Sequence, residues 1–219
     1  MKKFLILFTV FLFLKLSHLT YAIDLPKYYN FPKNYSPGEF LSSLKDFLLV
    51  STEEMDDSRF KETVILLIDH DKEGALGLVI NKPLGEISIG SLVQNQKDIN
   101  VIKKKELFNI KIPIFWGGPL DNNKILILHS KDYKNQNTKI FEHLSISNDY
   151  DTLFAIAEKN GPKKSLVIIG ISAWTIGQLE GEIIEKKYWV ISEINEDIVF
   201  EVDNKKKFIK ATKNSFLRL

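Results

Sequence analysis

Apolar and polar positions alternate along this chain in a way that predicts short strands separated by a few helices. Residues 47–51 predict a short apolar strand, and residues 63–70 and 75–81 are apolar at successive positions, the pattern of strands covered on both faces. Asp71-Lys72-Glu73-Gly74, between the second and third runs, is a polar, glycine-ended segment of hairpin type. Residues 87–94 predict a weak helix. Residues 112–116 and 124–130 predict strands on either side of Gly117-Gly118-Pro119, which ends the first abruptly. Residues 149–160 place Leu153, Ile156 and Ala157 on one helical face and stop at Gly161-Pro162. Residues 165–173 predict a buried strand. Ile176, Leu179, Ile183 and Ile184 mark a helix face, and residues 188–191 and 198–200 predict two more strands. With no internal repeat and no linker between residues 40 and 200, one α+β domain is the simplest organisation.

The ends of the chain follow different rules. Residues 1–22 have the layout of a secretory signal peptide: Lys2-Lys3, an apolar run over residues 4–14, and a polar stretch ending Thr20-Tyr21-Ala22 with small residues at the cleavage positions. The run is shorter than the roughly 20 apolar residues a membrane-spanning helix needs, and Lys15 interrupts it. Membrane contact is therefore expected only through this leader, and the chain is expected to be periplasmic or secreted. An anchoring leader or a cytoplasmic protein with a misassigned start is the alternative. Residues 23–37 form a proline- and aromatic-rich arm, with Pro26, Pro32 and Pro37 excluding a central strand or a long helix. Ser36-Pro37-Gly38-Glu39 fits a capped start for a short helix reaching about Lys45. The domain proper is expected over residues 38–202, and residues 203–219 predict an exposed, fraying, lysine-rich helix.

Charge narrows the choice of partner. The chain has 219 residues, 30 basic and 28 acidic, for a formal charge of +2. Without the three leader lysines 27 basic residues face 28 acidic ones, so a basic character does not survive leader removal. Only Arg59 and Arg218 are arginine. Lysine binds phosphate as a point charge but lacks the fork that reads guanine edges, and nucleic acid is not a favoured partner. The absence of cysteine excludes disulfides, thiolate metal sites and a cysteine nucleophile.

Three separated stretches resemble the YqgE/AlgH family of bacterial proteins. The first runs from Phe47-Leu48-Leu49-Val50-Ser51-Thr52 through Met55, Asp57, Phe60 and His70 to Gly74-Ala75-Leu76-Gly77-Leu78-Val79-Ile80-Asn81-Lys82-Pro83-Leu84. The second is Trp116-Gly117-Gly118-Pro119-Leu120 with Leu128-His129-Ser130. The third is Gly170-Ile171-Ser172-Ala173-Trp174, Gly177-Gln178-Leu179-Glu180, Glu182 and Trp189. The match covers about residues 44–200. It departs from the family pattern at Asp46, where a glycine is usual, at Glu53 in place of proline, and at Thr175-Ile176 in place of Gly-Pro. The resemblance implies an α+β domain with a largely antiparallel, barrel-like β-sheet flanked by helices. It implies no established activity: members carry the label of transcriptional regulator without a recognisable DNA-binding motif.

His70, Asn81, Gly117, Gly118, His129, Ser130, Trp174, Gln178 and Glu180 fall at strand ends or at a strand-to-helix turn, where a rigid scaffold presents side chains to a ligand or partner. They are the candidate ligand or partner surface, and the alternative for each is a turn cap or a satisfied buried group. His129 and Ser130 are adjacent on one strand and point to opposite faces, so they cannot pair. No Gly-x-Ser-x-Gly elbow is present, and His70, His129 and His143 form no helical metal motif. Gly117-Gly118-Pro119 lacks the following helix and the donor that a phosphate cradle needs. The sequence thus predicts no cofactor, no metal and no catalytic residue, but an exported, non-catalytic module that binds an unidentified protein or small molecule. A histidine-dependent hydrolase built on His70 and His129 is the enzymatic alternative.

Overall fold

A computed structural model describes residues 38–40, 42–94, 105–201 and 203–217; the leader and the arm fall outside them. Among the described residues, eleven strands form a curled sheet in the order β11-β10-β1-β2-β3-β9-β6-β8-β7, with β4 and β5 branching from β9. The strands are β1 (Phe47–Ser51), β2 (Val64–Asp71), β3 (Gly74–Val79), β4 (Pro83–Ser88), β5 (Lys111–Trp116), β6 (Leu120–His129), β7 (Lys139–Ile140), β8 (Ser145–Ser147), β9 (Ser165–Trp174), β10 (Trp189–Glu193) and β11 (Ser215–Leu217). The helices are α1 (Ile89–Val93), α2 (Tyr150–Ala157), α3 (Gln178–Ile184), α4 (Glu196–Val199) and α5 (Asn204–Lys213). Every strand pair is antiparallel except β5 with β9. The domain is α+β with a largely antiparallel, curled sheet and flanking helices.

The successive apolar positions in β1, β2 and β9 are explained by three apolar clusters on two faces. Leu48, Leu66, Leu78, Leu128 and Ile168 point into the curl with Ile198 of α4 and Ala211 of α5. On the outer face, Leu49, Ile65, Leu67 and Val79 pack under Leu179 and Ile183 of α3. The other outer patch joins Ile114, Ile127 and Val167 to Leu153 and Phe154 of α2 and Ile89 of α1. A strand buried on both sides has no solvent face to make polar, which is why a period of two is missing from its sequence.

Strand β9 holds the sheet together. One edge takes β6, and the other takes β5 along residues 167–169 and then β3 along residues 172–174. Gly117 and Gly118 sit at the junction, with the Gly117 N–H donating to the Ile169 carbonyl and the Val79 N–H to the Gly117 carbonyl. A Cβ on Gly118 would lie 2.2 Å from the Ile171 carbonyl carbon, and one on Gly117 would lie 2.2 Å from the Gly170 oxygen. Two backbones meet here at a distance only glycine permits.

Several elements depart from the pattern-based expectation. Residues 38–40 and 42–45 are not helical: the Gly38 N–H donates to the Gly177 carbonyl and the Leu44 N–H to His70 Nδ1, so these residues cross α3 as a strap. Part of the helix expected over residues 87–94 is strand, because Pro83–Ser88 pairs with β5 before α1 begins at an Ser88 cap. Residues 198–200, expected as a strand, belong to α4 and its end, where Asn195 caps the helix by accepting from the Asp197 N–H. The lysine-rich tail is not an exposed, fraying helix. Asp203 caps α5, and Lys207 and Ala211 are wholly buried against the inner cluster.

Candidate functional site

His70 reaches the α3 side of the sheet because β2 carries a bulge. Leu67 pairs with Gly77 and Asp69 with Leu76, leaving Ile68 as an extra residue. A bulge reverses the alternation beyond it. His70 therefore joins the face of Ile65 and Leu67 rather than that of Leu66 and Ile68. There its Nε2 lies 3.0 Å from Glu180 Oε1, and its Nδ1 accepts from the Leu44 N–H at 2.8 Å. A nitrogen that accepts a backbone N–H carries no proton, so His70 is the neutral Nε2–H tautomer and donates to Glu180. The strap completes the enclosure: Ser43 Oγ donates to the His70 carbonyl and the Phe40 ring packs edge-on at 5.2 Å.

A second carboxylate of α3, two residues beyond Glu180, organises two tryptophans. Glu182 Oε2 accepts from the indole N–H groups of Trp174 and Trp189, both at 2.8 Å, and Oε1 accepts from Gln178 Nε2 at 3.0 Å. Gln178 Oε1 in turn accepts from the Thr175 N–H at 3.1 Å, which supports the turn into α3 where Gly177 offers no side-chain cap. Trp174 and Trp189 are buried and meet edge to face at 6.2 Å. Phe60 lies 6.0 Å from Trp189 and 5.3 Å from Trp116. The Phe60 and Trp116 rings are half-buried, and the Arg59 guanidinium, forked onto Asp57, covers Phe60 at 5.7 Å. The Arg59 contact holds the Asp57 carboxyl below the usual carboxylate range. Nearby, the Tyr188 hydroxyl donates to Asp56 at 2.6 Å, which pushes its pKa up to about 12.

His129 belongs elsewhere. It pairs in register with Ser165 at the start of β9, whereas His70 connects through Ala75 to Trp174 at the end of that strand. His129 Nδ1 donates to the Ser130 carbonyl at 2.9 Å, and Nε2 lies 3.0 Å from Ser147 Oγ, from which it accepts. Burial pushes the His129 pKa down, consistent with a neutral ring. Ser130 Oγ donates to Asp132 and accepts from the Lys164 N–H. Asn81 ties two strands: its Oδ1 accepts from the Val64 N–H and its Nδ2 donates to the Glu62 carbonyl, both at 2.8 Å.

Of the sequence-predicted residues, the fold brings together His70, Trp174, Gln178 and Glu180 around α3. Asn81, Gly117, Gly118, His129 and Ser130 serve strand pairing, the β9 junction and turns. The residues missing from that prediction, Phe60, Trp116, Glu182 and Trp189, all stand in the three matching sequence blocks, which was the signal available for them. Among the described residues, no three His, Asp or Glu side chains are grouped to hold a metal, and no helix is long and apolar enough to cross a membrane.

Comparison with known proteins places this geometry in context. A family model described as AlgH-like (DUF179) matches residues 48–217. A UPF0301 protein of Pseudomonas putida is 33% identical over 159 residues, covering 73% of this chain and 82% of that protein. A UPF0301 protein of a Bradyrhizobium species is 35% identical over 160 residues, covering 70% and 72%. The solution structure of the AlgH protein from Pseudomonas aeruginosa superposes with a TM-score of 0.63 at 29% identity, over 80% of this chain and 92% of that one. A crystal structure of a Corynebacterium diphtheriae protein shares the fold at a TM-score of 0.53 and 19% identity, over 76% and 86%.

Proposed function

This chain belongs to the AlgH-like family, and from that premise we propose that it is an exported binding module without catalytic chemistry of its own, which holds a protein partner at the outer face of α3. The observation that carries the reading is the convergence of all three sequence blocks on that face, where Glu182 fixes Trp174 and Trp189 beneath the half-buried Phe60 and Trp116. Arginine, tyrosine and tryptophan on a rigid apolar base are the residue types that dominate protein contacts. Arg59, Tyr188 and Trp116 are present on this one, and exposed Ile176 and Ile184 add apolar surface at the two ends of α3.

The chemistry of the two buried histidines supports a non-catalytic role. Both nitrogens of each ring are hydrogen-bonded within the fold, and both rings are buried, His70 at 4% and His129 at 0% exposure, so neither stands open to a substrate. Export rests on the leader of residues 1–22. Fusing residues 1–30 to a reporter active only outside the cytoplasm tests it: an active fusion is expected, and an inactive one refutes export. Turnover of a generic ester, phosphate or peptide substrate by the purified mature chain, abolished by His129→Ala, would refute the non-catalytic reading.

A further inference from the structure

The β6–β9 ladder breaks at one place. Leu120 pairs with Ile171 and Ile125 with Ile169, so the four residues 121–124 stand opposite Gly170 alone. An ordinary bulge sets two residues against one. Here the register of β6 shifts more widely, with Asp121 at φ 51° and Gly170 at φ 84°, both in the left-handed region. Backbone held in that region by its surroundings gathers at ligand sites. A cavity of about 250 Å³ lies beside the break, between this part of β6, β9 and the start of α2. At about 30 Å³ per water this is room for roughly eight waters, enough for one substituted ring.

The lining sets the chemistry. Ile125, Leu126, Leu153 and Ile171 supply an apolar wall. The charged groups are already matched: Lys124 Nζ pairs with Asp121 at 2.8 Å, and Asp149 accepts from the Thr152 N–H, the Thr152 hydroxyl and Asn135 Nδ2. The remaining polar side chains are the carboxamides of Asn123 and Asn148 and the phenol of Tyr150. All three both donate and accept. Burial raises the Tyr150 pKa, which keeps the phenol protonated as a donor.

We propose that this cavity is a binding site for an uncharged ring compound, with an apolar face against Leu153 and Ile171 and a rim of neighbouring donors and acceptors toward Asn123, Asn148 and Tyr150. A pyranose and a nucleobase share that chemistry. The site is distinct from the α3 face and does not depend on a partner there.

The test is an amide chemical-shift titration of the full chain with methyl β-glucopyranoside in one arm and uracil in the other. Saturable shifts are expected with at least one of them, confined to residues 120–126, 148–153 and 169–171. Asn148→Ala and Tyr150→Phe should each weaken binding about fivefold, the cost of one lost hydrogen bond, while Ile176→Lys leaves it unchanged. Shifts with the glucoside alone assign a sugar, and with uracil alone a base. Either supports the site. No saturable shift from either compound up to about 20 mM, a strength too weak for a built site, would overturn the proposal. So would binding that both cavity variants retain in full, or clear preference for glucose 1-phosphate over the uncharged glucoside.

Discussion

Lys207 offers a prediction whose sign changes with pH. Its side chain is wholly buried, with Nζ donating to the Ile80 carbonyl at 2.7 Å and lying 5.4 Å from the centre of the Phe115 ring. Burial brings its pKa from 10.5 down to about 8, against a smaller opposing effect of Glu201. The unfolded chain therefore binds more protons than the folded one between those values, and stability rises with pH across that window. At about 1.4 kcal/mol per pH unit, the charged ammonium costs roughly 3 kcal/mol at neutral pH relative to the neutral amine. Lys207→Met removes that cost but leaves the Ile80 carbonyl without this partner, which costs about 1–2 kcal/mol. The variant should be more stable than the parent by about 1–2 kcal/mol at pH 7, and less stable by a similar amount above about pH 10.5, where only the lost hydrogen bond remains. Urea unfolding followed by tryptophan fluorescence, at intervals from about pH 6.5 to about pH 11.5, measures the difference directly. Groups unaffected by the substitution cancel. A stability difference that stays constant with pH, or a variant destabilised at pH 7 and unchanged at high pH, would refute the reasoning.

Other substitutions probe the remaining features. Asp46 stands where the family pattern has glycine, at φ 66°, with Oδ1 buried and unpartnered and its pKa raised chiefly by burial. Asp46→Gly should raise stability by about 1 kcal/mol at pH 7. Because a raised carboxyl pKa costs stability only when the group is ionised, the gain should shrink as pH falls through the folded-state pKa toward 3.8, a trend that melting temperatures would reveal. Glu182→Ala strands two indole N–H groups and should cost about 2–4 kcal/mol with a changed tryptophan emission, whereas Glu182→Gln should cost less. An Ala variant as stable as the parent in urea would exclude the carboxylate as organiser. Gly118→Ala should prevent folding or cost more than about 3 kcal/mol, since its Cβ meets backbone and not a movable side chain; a normal melting temperature would contradict the junction. For His129, whose pKa is lowered, stability should be present above the unfolded value of 6.5 and fall as pH drops through the folded value, and this slope should vanish in His129→Gln.

The sequence was legible where burial left a continuous signature. The fully apolar runs became β1, β2, β3 and β9, and the hairpin turn fell where Asp71-Lys72-Glu73-Gly74 placed it. The short strands at one end of the sheet leave no signature, because β7 has two residues and β8 has three, too few to show a pattern. The tail hides its packing for a related reason: its lysines signal solvent, and only a carbonyl 127 residues away reveals that Lys207 faces inward. Ser36-Pro37-Gly38-Glu39 is a helix-start motif, but the Gly38 and Leu44 N–H groups find partners on Gly177 and His70, so tertiary contacts override the local preference. At the candidate site the individual residues were visible and their grouping was not. The bulge at Ile68 sends His70 to Glu180, and no local pattern marks that change of face.

A contact role for the outer face of α3 is tested most directly by a photoreactive amino acid placed at position 176, and separately at position 72, in the native cell. Ile176 is 61% exposed beside α3, while Lys72 lies in the exposed hairpin turn. A discrete protein adduct recovered outside the cytoplasm from position 176, and none from position 72, is the predicted result. Equal adducts from both positions, or none from position 176, would contradict it.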